Sequence, residues 1–97
     1  MSEPSPYVDF TTPIVLEMAE NHRGATESHL GRTFQKWTAL GFSVQLIQPA
    51  GLFYWIKVEV DNGEHVHLKV HHPYGTHQTE FLTAEGGKTL QDQAFVF

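Results

Sequence analysis

The sequence predicts an α+β domain in which one α-helix packs across a four- to five-stranded antiparallel β-sheet. Three observations carry that expectation. Ile56, Val58 and Val60 alternate with Lys57, Glu59 and Asp61, and Val66, Leu68 and Val70 alternate with His65, His67 and Lys69. This is the period-two pattern of half-buried strands. Asn62-Gly63 lies between the two runs and suits a tight hairpin, because both residues tolerate the positive φ that short reversals need. Upstream, Thr12-Pro13 opens a segment with helical periodicity, which supplies the second layer.

Taken in order, residues 1–11 hold Pro4 and Pro6 and one short alternating piece, Tyr7-Val8-Asp9-Phe10. They read as an extended trunk able to add an edge strand. Thr12 is the expected helix N-cap, with Pro13 at the first helical position. Ile14, Met18, Ala25 and His29 fall near one helical face, with Val15, Ala19, His22 and Leu30 alongside. Glu17, Glu20, Arg23 and Glu27 line the polar face. Gly24 in mid-helix costs about 1 kcal/mol relative to Ala, so the helix depends on docking to the sheet. Gly31 is the expected stop.

Residues 34–47 read as one long strand, Leu40, Phe42, Val44 and Leu46 alternating with Gly41, Ser43 and Gln45. Gln48-Pro49-Ala50-Gly51 offers Pro at the second and Gly at the fourth position of a type I turn. After the central hairpin, Pro73-Tyr74-Gly75 marks the next reversal. Residues 79–83 are a candidate strand, and Glu85-Gly86-Gly87-Lys88 reads as a loop before an aromatic tail. This order leaves the trunk, the Gln48–Gly51 turn and the Pro73–Gly75 turn at one end of the molecule.

A chain of 97 residues is expected to form a single domain, 1–97. It contains no cysteine, which excludes a disulfide framework and a thiolate metal site. The apolar stretch Ile14–Ala19 is too short for a membrane span or a signal core and contains Glu17. The expected location is therefore cytoplasmic, with no membrane partner. The net charge is −5, and six basic residues spread from Arg23 to Lys88 form no stripe, which argues against a nucleic-acid partner. Protonation of the seven histidines would bring the charge to about +2 below pH about 6.5.

The sequence resembles the stefins, the disulfide-free type 1 branch of the cystatin family. Phe53-Tyr54-Trp55-Ile56-Lys57-Val58 and His65-Val66-His67-Leu68-Lys69-Val70 are similar to the paired central strands of that branch. Asp92-Gln93-Ala94-Phe95-Val96-Phe97 is similar to its acidic, aromatic ending. The resemblance implies a cystatin-like fold and reversible, tight-binding inhibition of papain-like, cathepsin-type cysteine proteases. A wedge made of trunk and two hairpin turns would block the active-site cleft. It also implies a monomer able to form a domain-swapped dimer by opening at the first turn. The family's first-turn pattern is Gln, any residue, Val, any residue, Gly. Here those positions hold Ile47, Gln48, Pro49, Ala50 and Gly51. Pro73 stands where the second turn of the family carries a proline, with Tyr74 beside it. Protease contact is accordingly expected from Pro4, Ser5 and Pro6, from Ile47 to Gly51, and from Pro73 and Tyr74. A non-inhibitory interaction module on the same fold is the alternative.

Other chemistry finds little footing. No activated nucleophile, paired carboxylate site or phosphate-cradling glycine loop is evident, so the chain is not expected to be an enzyme or to carry a cofactor. His65, His67 and His71 share one strand face at a spacing that could gather zinc or copper. Two-residue spacing on one strand rarely completes a tetrahedral set, and they are expected to be solvent-facing, with no metal bound. Trp37, Phe53, Tyr54 and Trp55 read mainly as core or cross-strand aromatics.

Overall fold

A computed structural model describes residues 5–92, so Pro4 and the tail from Gln93 to Phe97 lie outside the described residues. Helix α1 spans Pro13–Asn21 and α2 spans Arg23–Leu30. Strands β1 (Thr38–Ile47), β2 (Gly51–Glu59), β3 (His65–Pro73) and β4 (Glu80–Lys88) form one antiparallel sheet in sequence order. The expected α+β architecture is present, with the helical layer on one face of a four-stranded sheet.

The helix start is as expected: Thr12 is the N-cap, and its Oγ1 accepts the Val15 N–H. The end is also as expected, with Gly31 in the left-handed conformation at φ 71°. Between them, the single helix is interrupted at His22 (φ −107°, ψ 12°), not at Gly24. Thr26 explains the position of the break. Its hydroxyl donates to the His22 carbonyl at 2.7 Å, a back-bond of the kind that bends helices. His22 Nε2 in turn meets Thr79 Oγ1 at 2.6 Å, tying the bend to the approach to β4. Val15, Met18, Ala19 and Thr26 face the sheet, whereas Ile14, expected on that face, is exposed.

The strand expected from residue 34 begins at Thr38. The physical reason lies in the hydrogen bonds of residues 34–36. The Phe34 N–H donates to Glu27 Oε2, and Gln35 and Lys36 donate to the Asp61 carboxylate. Backbone groups satisfied by carboxylates have no need of a neighbouring strand. The central hairpin is read correctly: Asn62 and Gly63 both take positive φ, 59° and 75°. The first reversal falls at the expected Gln48–Ala50, and its Gln48–Pro49 peptide is cis.

Strand β4 runs through Glu85 to Lys88, where a loop is expected. Two register shifts against β3, between His65 and His67 and between Lys69 and Val70, absorb the irregularity. Gly87, at φ 67°, suits such a bulge, and its N–H reaches Glu64 Oε2 at 2.8 Å.

Ile56, Val58, Val60, Val66, Leu68 and Val70 are all fully buried beneath the helices, as their alternation requires. The opposite sheet face is not the solvated surface that the same alternation suggests. Trp55, Lys57, His65, His67 and Ser43 are buried there as well. Two segments cover it. Tyr7 of the trunk lies over Gly41 and stands 5.0 Å from Lys57 Nζ. The turn at Thr89–Asp92 brings the Leu90 and Asp92 carbonyls onto the same ammonium. Burial lowers the Lys57 pKa, opposed by the charge of Asp92.

Candidate functional site

The end of the sheet beyond Val44 collects three segments. The trunk runs antiparallel to β1: Val8 and Phe42 exchange backbone hydrogen bonds of 3.0 and 3.1 Å. Further out, the Ser5 N–H donates to the Val44 carbonyl at 2.7 Å, and the Val44 N–H donates to Ser5 Oγ at 2.9 Å. The leading end of the trunk therefore points toward the turn that follows Ile47. Gly41 makes the close approach feasible, since a Cβ there would lie 2.1 Å from the Val8 carbonyl oxygen and 2.4 Å from the Tyr7 hydroxyl. Burial and the nearby Asp9 charge raise the Tyr7 pKa, so its phenol stays neutral.

Ile47 pairs with Gly51 to close the first hairpin. Ile47 is half-buried, while Gln48, Pro49 and Ala50 are exposed. Gly51 pairs with Pro73 across the β2–β3 ladder, which sets the two turns side by side. Gly51 is buried at φ 125°, and a Cβ on it would stand 2.4 Å from the His72 carbonyl oxygen. That backbone region is essentially glycine's alone. Pro73 is partly buried and Tyr74 is exposed, with Leu52, His72, Thr76 and His77 around a shallow hollow beside them.

Ile47, Gln48, Pro49, Ala50, Gly51, Pro73 and Tyr74 thus fall along one rim, Ser5 lies against Val44 three residues short of Ile47 with Pro6 next to it on the way back to Val8, and Pro4 lies outside the described residues. The rim carries exposed apolar atoms and bare backbone.

His71 had no part in the expected contact set, yet it stands at this rim. Its ring stacks on Phe53 with centroids 4.5 Å apart, Nε2 is 2.9 Å from the Ala50 carbonyl oxygen, and Nδ1 is 3.2 Å from Glu80 Oε1. The hairpin register alone could have found it, because Phe53 and His71 are opposite once Asn62-Gly63 is taken as the turn. The histidines expected in solvent are distributed otherwise: His65 and His67 are buried and His71 is half-buried. Among the described residues no cluster of three or more His, Asp or Glu is arranged to hold a metal.

A four-stranded antiparallel sheet covered on one face by two consecutive helices defines a cystatin-like α+β protein. No family model matches the chain. Cystatin-A of Felis catus is 36% identical over 59 residues, 61% of this chain and 58% of that protein, so this match spans under two thirds of the relative's length. Cystatin-A1 of Sus scrofa is 31% identical over 84 residues, 84% of this chain and 80% of the pig protein. A second protein of Sus scrofa, named Leukocyte cysteine proteinase inhibitor 1, is 27% identical over 95 residues, 96% of this chain and 86% of its own length. The chain belongs to the stefin, or type 1 cystatin, family.

Proposed function

We propose that this protein is a reversible inhibitor of papain-like, cathepsin-type cysteine proteases and that the rim described above enters the protease cleft. The Gln48–Gly51 turn forms the central contact, Pro73 and Tyr74 the second, and the trunk from Pro4 to Pro6 the third. Most of the support comes from the adjacency of the three segments. Ser5 lies along Val44, three residues before Ile47, and Gly51 sits against Pro73. A rim braced by ladder hydrogen bonds loses little ordering entropy on binding. It presents backbone and apolar atoms to the catalytic cysteine without offering a scissile bond in register. The absence of cysteine suits a reducing, cytoplasmic setting.

The test is titration of papain with the protein while hydrolysis of a fluorogenic peptide is followed, with gel filtration alongside. The monomer is the inhibitory form, because opening the first turn to exchange segments between chains would dismantle the rim. Progressive loss of protease activity at or below micromolar inhibitor is the expected outcome. Full protease activity in the presence of micromolar monomer removes the proposal and leaves the non-inhibitory interaction module.

A further inference from the structure

The first turn carries exposed residues at its tip, so its usefulness as a contact depends on what holds it still. Its base is closed by the Ile47·Gly51 pair, and a side chain of the neighbouring strand reaches its tip. His71 of β3 points one ring nitrogen at the Ala50 carbonyl and the other at the Glu80 carboxylate of β4. Both partners are acceptors. A neutral imidazole has one N–H and one lone pair, so it can satisfy one partner and must face the other with its lone pair. The imidazolium donates at both positions, and each bond is then charge-assisted.

Several charged and polar groups surround the ring. Glu80 on β4 attracts the cation, and its Oε1 lies 3.2 Å from Nδ1. On β2 the ring rests on uncharged Phe53, whose π-face also favours a cation. The turn contributes the negative end of the Ala50 carbonyl dipole. Lys69, two residues earlier on β3 and on the same face, acts in the opposite sense, but its Nζ sits over the Phe53 and Trp55 rings at 6.0 and 5.5 Å. Lys57, farther along β2, is engaged by the Leu90 and Asp92 carbonyls.

We propose that His71 is a positioning residue of the inhibitory rim, a clamp that in its protonated form fastens the Ala50 carbonyl of the first turn to Glu80 of β4. The proposal rests on the reading of this rim as the protease contact. It adds that the grip strengthens when both ring nitrogens carry protons, since each then donates to an acceptor. Preorganising the turn is what converts the proton into affinity.

Dissociation constants for papain are to be measured with the natural protein, His71→Gln and Glu80→Ala between pH about 8 and about 5, the range in which imidazole changes charge. Papain's own pH response cancels in the ratio of variant to natural protein. At the acid end both variants are expected to bind about 3–10-fold more weakly, and at the alkaline end the ratio falls to about twofold or less. A ratio that does not change with pH overturns the clamp, since a merely structural histidine would weaken binding equally throughout. Heteronuclear NMR of the His71 ring gives a readout free of protease. Two slowly exchanging ring N–H groups in acid, lost on Glu80→Ala at Nδ1, support the clamp, and their absence overturns it. Clamped ring protons in a protein that leaves papain untouched would sink the inhibitor reading alone. Inhibition with a flat ratio would sink the clamp alone.

Discussion

Replacing His67 with glutamine removes a titratable group from the middle of the second sheet face, and the consequence for acid stability can be worked out from its surroundings. His67 is fully buried, and neither ring nitrogen has a hydrogen-bond partner among the described residues. It pairs directly with Lys57 across the β2–β3 ladder. Burial, followed by the charges of Lys57 and Lys88, pushes its pKa down to about 4, against weaker opposition from Asp92 and Glu85. In the unfolded chain the same imidazole titrates near pH about 6.5. Between those two values the unfolded state takes up a proton that the folded state refuses. The stability contribution is therefore complete above pH about 6.5, falls as the pH drops toward about 4, and changes no further below that. At about 1.4 kcal/mol per pH unit, the whole interval amounts to about 3 kcal/mol, a large part of a small domain's stability.

The assay is urea unfolding at pH about 7.5 and about 4.5, each protein compared with itself so that the carboxylates common to both cancel. The natural protein is expected to lose about 2–3 kcal/mol more than His67→Gln over that interval. Lys57→Met supplies a second handle. With the facing cation gone, the His67 pKa rises and the acid loss shrinks without any change at His67 itself. Equal acid losses in all three proteins, within about 0.5 kcal/mol, would refute the assignment of the effect to this buried pair.

Three further outcomes are expected. Gly41→Ala drives a methyl into the Val8 carbonyl and the Tyr7 hydroxyl, so the trunk should lift from β1. Papain affinity should drop by about tenfold or more, with a stability loss of about 1–3 kcal/mol in urea. Gly51→Ala combines a backbone conformation at φ 125° with a methyl against the His72 carbonyl, and urea unfolding should report a loss of about 2 kcal/mol or more. Restoring the family pattern with Ile47→Gln and Pro49→Val should strengthen papain inhibition. Unchanged affinity would mean that the exposed tip contributes less than its flanks.

The first sheet face was legible in the sequence because a single signal decided it. Alternation from Ile56 to Val60 and from Val66 to Val70, joined by Asn62-Gly63, specifies register and burial together, since a slip of one residue would turn every apolar side chain outward. The adjacency of the rim segments followed from that register and from where the turn residues fell. What the alternation could not convey was the state of the other face. Lys57, His65 and His67 read as a solvated row, because polar residues at the alternate positions of an antiparallel strand ordinarily face water. They are covered by Tyr7 and the Thr89–Asp92 turn, which come from opposite ends of the chain and whose local patterns do not say which sheet face they will lie on. One local sign did point to a second buried layer: Phe53 and Trp55 put large aromatics on the same face as Lys57. A strand with aromatics on both sides needs cover on both sides, and Tyr7 and the Thr89–Asp92 turn supply it on the second face. The same limit explains the boundary at Thr38. Whether Phe34 to Lys36 pair with a strand or with the Glu27 and Asp61 carboxylates depends on where those side chains arrive in space, which the local pattern of residues 34–36 does not encode.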